Sequence, residues 1–439
     1  MTTFIQISQF VLIISILVIL HELGHFIPAK IFKTKVEKFY LFFDYKFSLF
    51  KKKIGDTVYG IGWIPFGGYV KIAGMIDESM DKEQMKLPPK PWEFRSKPAW
   101  QRLIIMIGGV TVNFFLAWFI YSALLVTKGD TYIDNNKLEY GIYVDEIGEK
   151  LGLQKGDKVI SVDGKKVKAF NDLPFDILLG DKMTVKRNGE NVSFELKDEA
   201  KKLVLEAQGK GFIAAAFPAV IDSIIPNYQA SIANIKKGDL VTSINGEPIK
   251  YWRELAKVIQ STKKDSLHLT INRNNKIINL NVFVPDSSVI GITPKSAFMK
   301  SFITTEKYTF AQSIPKGLSQ TIDILVKQVR QFKLIFNKKT KGYKHVKGPI
   351  GIVSMMPPTW DWMFIWKFTA MFSVWLAFLN LLPIPALDGG HIIFLLYEMI
   401  SGRPATEKVM EIAQIIGFVI IMSLMALVFG SDIYHLIFG

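Results

Sequence analysis

The sequence predicts a polytopic α-helical membrane protein with about four transmembrane helices, a membrane-associated β-hairpin region and two extramembrane β-rich domains. The chain of 439 residues is 49% hydrophobic, which is more apolar than most soluble proteins. Four stretches are apolar over a length that crosses roughly 30 Å of hydrocarbon as a helix. Between the second and third stretches, the pattern changes to short alternating runs that end in Gly, Asp or Asn, which is typical of β-rich structure.

The net charge and the absence of cysteine limit the possible function classes. The formal net charge is +15, but no basic helix, RNA-recognition signature or zinc-finger pattern accompanies it. We therefore expect no nucleic acid partner and attribute the charge to contact with membrane lipid and to topology. The chain has no cysteine, which excludes disulfides, thiolate zinc sites and iron-sulfur clusters. Any metal must be held by imidazole and carboxylate groups.

The four apolar stretches predict transmembrane helices at about 4–31, 103–126, 363–382 and 412–429. The first lacks the basic region and the cleavage site of a signal peptide, so we expect it to stay in the mature protein. The segment 32–102 is short and lysine-rich, which places it in the cytoplasm and the N-terminus outside. Lysines within 338–347 argue weakly against this orientation, but they end a long translocated domain, where charge has less influence.

An HExxH motif lies near the end of the first apolar stretch. The spacing of four residues puts His21 and His25 on one helix face, as a metal requires, and Glu22 beside that face. The alternative is a capped helix end or polar packing. Because polar groups inside a membrane span are costly, they are rarely left there without a partner or a task. The motif therefore indicates a metal site.

The segment 32–102 contains two runs, 39–50 and 59–72, in which apolar and β-prone residues alternate around lysine and glycine turns. This pattern predicts a β-hairpin on the cytoplasmic side, with Phe66 and Tyr69 dipping into the lipid. Its edge strand could pair with an extended peptide. The alternative is a plain amphipathic surface sheet without a binding role.

The β-rich insert contains an internal repeat. Residues 152–164 align with residues 234–246 at a constant offset of 82 positions, and both copies place a Lys-Gly-Asp turn before a short apolar strand. The pattern resembles tandem PDZ domains, which we expect at 128–210 and 211–290. Two unrelated hairpins are the alternative. An extramembrane or interfacial helical segment is expected at 291–362.

A hydrolytic zinc site needs three protein ligands and one open position, so HExxH lacks one ligand. Asp388 is the candidate, because it follows Pro383 and Pro385, which interrupt the helix. The third span runs in the same direction as the first, so both end on the same side. An ordinary turn at Asp388 is one alternative, and His391 as ligand or outer partner is another. No ligand partner at helical spacing accompanies the remaining histidines, His268, His345 and His435.

The motifs together resemble the site-2 protease family of intramembrane zinc metalloproteases, of the regulator of sigma-E protease type. HELGH at 21–25, the tandem insert and NxxPxPxLDGG at 380–390 carry the resemblance, together with 65–70, 109–113 and 348–351. The resemblance implies a zinc metalloendopeptidase that cleaves the transmembrane segments of single-span substrates, such as anti-sigma-factor stubs and remnant signal peptides. An upstream site-1 protease would cut these substrates first.

The resemblance also implies roles for individual residues and a location. His21, His25 and Asp388 would hold Zn²⁺, with Glu22 as general base on a zinc-bound water. The location would be the bacterial inner membrane, with the N-terminus and the PDZ-like domains periplasmic and the active site toward the cytoplasm. Asn380 would bind substrate, although a buried polar contact between helices is equally compatible. The expected substrate-binding residues are Asn380, Pro383, Pro385, Phe66, Gly67, Gly68 and Tyr69.

Two other function classes fit parts of the sequence. One is a transporter whose intramembrane His and Glu residues relay protons and which needs no metal. The other is a membrane scaffold or substrate-binding adaptor without turnover. The presence of both Glu22 and Asp388 argues against the adaptor, which has no physical need for either carboxylate.

Overall fold

The computed structural model describes residues 2–75, 88–207, 211–294 and 296–438, and the chain divides into two compact units. The membrane unit comprises residues 1–128, 308–332 and 346–439, and the β-rich unit comprises residues 129–307 and 333–345. Within the described ranges, four helices are long and apolar enough to cross a membrane, which confirms the predicted number of spans. These segments are Thr2–Ile31, Ala99–Lys128, Trp362–Leu381 and Lys408–Ile433.

The membrane unit begins with helix α1 (Thr2–Ile31). The helix ends because Lys33 takes a left-handed conformation, with φ of 54°, and the N–H of Thr34 turns back to the carbonyl of Ala29 at 2.8 Å. A four-stranded sheet follows, in the spatial order β2-β3-β1-β4. Its strands are β1 (Val36–Phe43), β2 (Phe50–Ile54), β3 (Thr57–Ile61) and β4 (Ile64–Ile72).

This sheet is larger than the predicted hairpin, whose two runs pair antiparallel through β1 and β4. Strands β2 and β3 form a hairpin around Gly55, but β3 also pairs in parallel with β1, and β1 pairs antiparallel with β4. Tyr69 contacts neighbouring residues of the sheet. Its ring stacks on Tyr40 at 5.4 Å, and its hydroxyl donates to Oδ1 of Asp44 at 2.8 Å, so it belongs to a polar network on the sheet. The Phe66 side chain lies outside the described part of the structure.

Helix α2 (Ala99–Lys128) lies against α1 at a contact between two glycines. A Cβ built on Gly24 would lie 2.4 Å from the carbonyl oxygen of Gly108, and one built on Gly108 would lie 2.0 Å from that of Gly24. No side chain fits in either position, so the two backbones touch directly.

The first repeat of the β-rich unit has a four-stranded sheet in the order β10-β9-β7-β8 and a two-stranded sheet of β6 and β11. Its helices pack over a core that includes Leu173, Ile177 and Met183. The elements are β5 (Asp130–Ile133), β6 (Ile142–Val144), α3 (Glu146–Lys150), β7 (Lys158–Val162), β8 (Lys165–Lys166), α4 (Leu173–Leu179), β9 (Lys182–Arg187), β10 (Glu190–Glu195), α5 (Asp198–Glu206) and β11 (Ile213–Ala215).

The second repeat has the same arrangement, with a sheet in the order β16-β15-β13-β14 and a pair of β12 and β17. Its core includes Leu255, Leu269 and Val282. The elements are β12 (Ile221–Ile224), α6 (Gln229–Ile232), β13 (Leu240–Ile244), β14 (Glu247–Pro248), α7 (Trp252–Ser261), β15 (Asp265–Arg273), β16 (Lys276–Val284) and β17 (Ile292–Pro294), followed by α8 (Ser296–Phe302) and β18 (Ile303–Glu306).

Each of the two repeats contains an equivalent buried ion pair between an arginine and an aspartate. In both repeats, strand pairing also extends beyond the predicted domain boundaries. Arg187 binds Asp157 in the first repeat, and Arg273 binds Asp239 in the second, in both cases through two nitrogen–oxygen contacts of 2.7–2.8 Å. The predicted boundary between 210 and 211 falls at residues 208–210, which lie outside the described ranges. Strand β11 continues the first repeat to Ala215, and β17 continues the second beyond 290.

The chain then returns to the membrane unit. Trp118 on α2 donates its indole N–H to the carbonyl of Ile314 at 2.8 Å, so the next long helix packs against α2. Asp432, near the end of the last span, accepts hydrogen bonds from the N–H groups that begin a short helix at Pro349. The helices are α9 (Phe310–Phe336), α10 (Pro349–Ser354), α11 (Trp362–Leu381), α12 (Asp388–Ser401) and α13 (Glu407–Phe438). Short 3-10 helices span Phe94–Ser96, Asn135–Lys137, Phe170–Asp172 and Gly342–His345.

Candidate metal centre

The two histidines of the HExxH motif lie one turn apart on α1 and are buried. His21 is 8% exposed and His25 is 5% exposed. Their rings meet edge to face with centroids 4.9 Å apart, and the two Nε2 atoms are separated by 3.3 Å. The Nε2 atoms of both imidazoles therefore face the same point, as the four-residue spacing predicts.

Asp388 reaches this place from the beginning of α12. The loop 382–387 interrupts the helical backbone after α11, as its two prolines predict. Gly389 and Gly390 then let the first turn of α12 fold tightly onto this loop, because a Cβ on Gly389 would lie 2.1 Å from the carbonyl oxygen of Leu382. As a result, Oδ2 of Asp388 lies 3.3 Å from Nε2 of His21 and 3.3 Å from Nε2 of His25.

The three atoms form a nearly equilateral triangle whose dimensions suit a zinc ion. Its three edges all measure 3.3 Å. Ligands at about 2.0–2.1 Å from a tetrahedral Zn²⁺ are separated by roughly 3.3–3.4 Å. Oδ2 of Asp388 is buried and has no hydrogen-bond partner. Because buried polar atoms are usually paired, this is the state expected of an oxygen that binds a cation. Among the described residues, the potential ligands that cluster in this way are His21, His25 and Asp388, and His391 is not one of them.

Helix α2 supplies outer contacts to both imidazoles. Nδ1 of His25 lies 2.8 Å from the carbonyl oxygen of Ile105, and Nδ1 of His21 lies 3.1 Å from the amide nitrogen of Asn113. Gly109 lies between them, and a Cβ there would lie 2.4 Å from Nε2 of His25. The candidate site residues named from the sequence did not include Ile105 and Asn113. A polar Asn in an apolar span was the available signal for Asn113, whereas a backbone carbonyl gives no sequence signal.

The other residues selected from the sequence lie at different distances from the cluster. The amide nitrogen of Asn380 lies 3.2 Å from Nε2 of His21, so this side chain borders the candidate site. Pro383 and Pro385 lie in the loop that precedes Asp388. Gly67 and Gly68 lie on β4, which is an edge strand of the sheet.

Strand β4 runs beside α1 next to the motif. A Cβ on Gly68 would lie 2.5 Å from Cγ1 of Val18, one turn before His21, so glycine permits this close approach. Two residues further along β4, the backbone N–H of Val70 is directed at the carboxylate of Glu22. The strand and the candidate base are therefore neighbours.

Comparison with known proteins places this geometry in a family. A family model described as Peptidase family M50 matches residues 9–424. The chain belongs to peptidase family M50. This membership confirms the resemblance to site-2 proteases and the prediction that the chain is an enzyme that hydrolyses peptide bonds.

Similar proteins align with this M50 chain over nearly their whole length. A Neisseria meningitidis protein named as a zinc metalloprotease is 27% identical, with 98% of each chain covered. The regulator of sigma-E protease RseP of Escherichia coli is 25% identical, with 98% of this chain and 99% of the relative covered. A regulator of sigma E protease of Haemophilus influenzae is also 25% identical, over the same shares.

Proposed function

We propose that this chain is an intramembrane zinc metalloendopeptidase in which His21, His25 and Asp388 hold the metal and Glu22 is the general base. The observation that carries the proposal is the 3.3 Å triangle of ligand atoms in the last third of a membrane-spanning helix. The name of the Neisseria relative supports zinc as the metal. Two neutral imidazoles and one carboxylate leave a bound Zn²⁺ with a net charge of +1, which an ionised Glu22 offsets.

In the proposed peptide-bond hydrolysis, the metal and the protein side chains have separate roles. When bound, zinc supplies Lewis-acid activation of the attacking water and of the scissile carbonyl. Glu22 follows His21 directly in the sequence, and its carboxylate interacts with both imidazoles and with Asp388. From there it accepts the proton of the attacking water and returns it to the leaving amine. The backbone N–H of Val70 on β4 donates a hydrogen bond to this carboxylate.

Substrate binding is assigned to the edge of the sheet and to the loop before Asp388. A transmembrane segment satisfies its backbone hydrogen bonds as a helix, so an extended substrate needs new partners. Strand β4 lies at the edge of the sheet and beside α1, so it can add a substrate strand near Glu22. We assign this role to Phe66, Gly67 and Gly68, with Tyr69 bracing the strand through Tyr40 and Asp44. Asn380, Pro383 and Pro385 complete the binding surface.

The wider assignment concerns substrates, partners and membrane sidedness. Single-span stubs such as cleaved anti-sigma factors and remnant signal peptides are the proposed substrates, after a first cut by a site-1 protease. The printed name of the Escherichia coli relative supports a role in sigma-E regulation. The lysine-rich segment 32–102 supports a cytoplasmic active site in a bacterial inner membrane, with the β-rich unit periplasmic. The shared strand order of the two repeats supports PDZ-like domains.

Metal content and cleavage test the proposal together. The full chain is purified in detergent, its zinc is measured by mass spectrometry, and it is incubated with a single-span test protein. We expect one zinc per chain and cleavage within the membrane segment. Glu22→Gln should retain the zinc and lose cleavage, since only the proton acceptor is removed, whereas His21→Ala should lose both. A wild-type chain that binds no zinc, or a Glu22→Gln variant that cleaves normally, would contradict the assignment.

A further inference from the structure

We infer that Asn113 on α2 is a positioning residue that selects the metal-binding tautomer of His21. The inference rests on the proposed zinc site and adds one requirement to it. A neutral imidazole carries a proton on one ring nitrogen and a lone pair on the other, and only the lone pair can bind a metal. Nε2 of His21 faces His25 and Asp388, so the proton must lie on Nδ1.

The position of Asn113 gives it control over that proton. The side chain is fully buried, at 0% exposed, and its amide nitrogen Nδ2 lies 3.1 Å from Nδ1 of His21. Its Oδ1 is buried without a hydrogen-bond partner. The oxygen and nitrogen of an amide have nearly the same shape, so a half-turn of the amide exchanges them. With Oδ1 turned toward His21, Nδ1–H has an acceptor and Nε2 keeps its lone pair.

The orientation with Nδ2 toward Nδ1, which is the one in this structure, has the opposite effect. If the amide nitrogen donates to Nδ1, the imidazole proton moves to Nε2, the atom that faces Asp388, and His21 is no longer a ligand. Zinc binding and the orientation of Asn113 are therefore coupled. This coupling is the usual relationship between a metal-bound histidine and its outer acceptor.

His25 provides an internal comparison. Its Nδ1 lies 2.8 Å from the backbone carbonyl of Ile105, which can only accept a hydrogen bond. The main chain therefore fixes the His25 tautomer, whereas a replaceable side chain fixes that of His21. The backbone at Asn113 is itself held, because its carbonyl accepts a hydrogen bond of 2.7 Å from the buried hydroxyl of Ser373 on α11. This hydrogen bond fixes the backbone from which the Asn113 amide extends toward His21.

Two nearly isosteric variants separate this role from packing. Asn113→Leu removes the acceptor with little change in volume, and Asn113→Asp keeps an acceptor for Nδ1–H. Zinc affinity of the full purified chain is measured by competition with a chromogenic chelator. We expect Asn113→Leu to weaken zinc binding by about 10- to 100-fold, as for other outer partners of metal-bound histidines. Asn113→Asp should stay within a few-fold of wild type.

The controls make each outcome decisive. Thr111→Leu places the same leucine on an exposed part of α2 and should not change zinc affinity. If Asn113→Leu does not fold, Asn113→Ala tests the loss of the acceptor instead. Equal affinity in the Leu and Asp variants, or weaker binding in the Asp variant than in Leu, overturns the inference while the zinc site stands. A wild-type chain without zinc refutes the proposed function itself.

Discussion

The Oδ2 atom of Asp388 lies 3.3 Å from Nε2 of His25, although the two residues belong to helices at opposite ends of the chain. We predict that Asp388→Asn weakens zinc binding by more than about 100-fold, since even the loss of an outer partner costs 10- to 100-fold. The amide has the same shape but no negative charge. The measurement is zinc per chain after dialysis against a chelator. Asp286→Asn, which changes an exposed carboxylate, is the control and should keep its zinc.

Gly109 leaves the room that both imidazoles occupy. A Cβ there would lie 2.4 Å from Nε2 of His25 and 2.6 Å from Cε1 of His21, distances that real contacts do not reach. We expect Gly109→Ala to displace the rings and to abolish both zinc binding and cleavage. Gly430→Ala is the matched control, because this glycine of α13 has open space around it. If Gly109→Ala retained full zinc occupancy, the close packing described for α1 and α2 would be refuted.

Asp432 holds the last membrane span to helix α10. Its carboxylate accepts from the N–H groups of Gly348, Ile350 and Gly351 at 2.9, 2.9 and 3.0 Å. Asp432→Ala would leave these donors without an acceptor, at a cost of about 1–3 kcal/mol for a buried group. We expect a lower unfolding temperature of the detergent-purified chain for Asp432→Ala and little change for Ser431→Ala. Equal unfolding temperatures would show that the contact does not stabilise the membrane unit.

Glu254 joins the two repeats of the β-rich unit. Burial acts to raise the pKa of its carboxyl, but a hydrogen bond of 2.7 Å from Lys155 and bonds from two backbone N–H groups lower the pKa below its ordinary value. A lowered pKa in the folded state stabilises the fold above the ordinary pKa of 4.5, and this stabilisation is lost as the pH falls through the lowered value.

We therefore predict that Glu254→Gln destabilises α7 at pH 7 by about 0.5–1 kcal/mol, as is usual for a partly exposed ion pair and helix cap. The loss should shrink toward zero in acid, where the wild-type carboxyl is also protonated. Hydrogen exchange of the α7 amides in the full chain measures this difference. Glu247→Gln, at an exposed position, is the control. A difference that grows as the pH falls would contradict the assignment.

Much of this architecture could be predicted from the sequence because its signals are local or periodic. The apolar length of each span, the four-residue spacing of His21 and His25, and the constant offset of the repeats are all visible along the chain. The direction of the spans was enough to bring Asp388 to the histidines. The parallel pairing of β1 with β3 was missed, because a hairpin of neighbouring strands is the simpler reading of alternating runs. The contacts of Ile105 and Asn113 depend on helix packing, which periodicity does not specify.

The backbone contact between Gly24 and Gly108 limits how the enzyme can admit a peptide. Two helices that touch without intervening side chains leave no space between them for another chain. Both histidines belong to the first of these helices, and the groups that contact their Nδ1 atoms, the Ile105 carbonyl and the Asn113 amide, belong to the second. The side of α1 that carries this contact is therefore closed to a peptide at the level of Gly24. A peptide would therefore have to approach His21 and His25 from another side of α1.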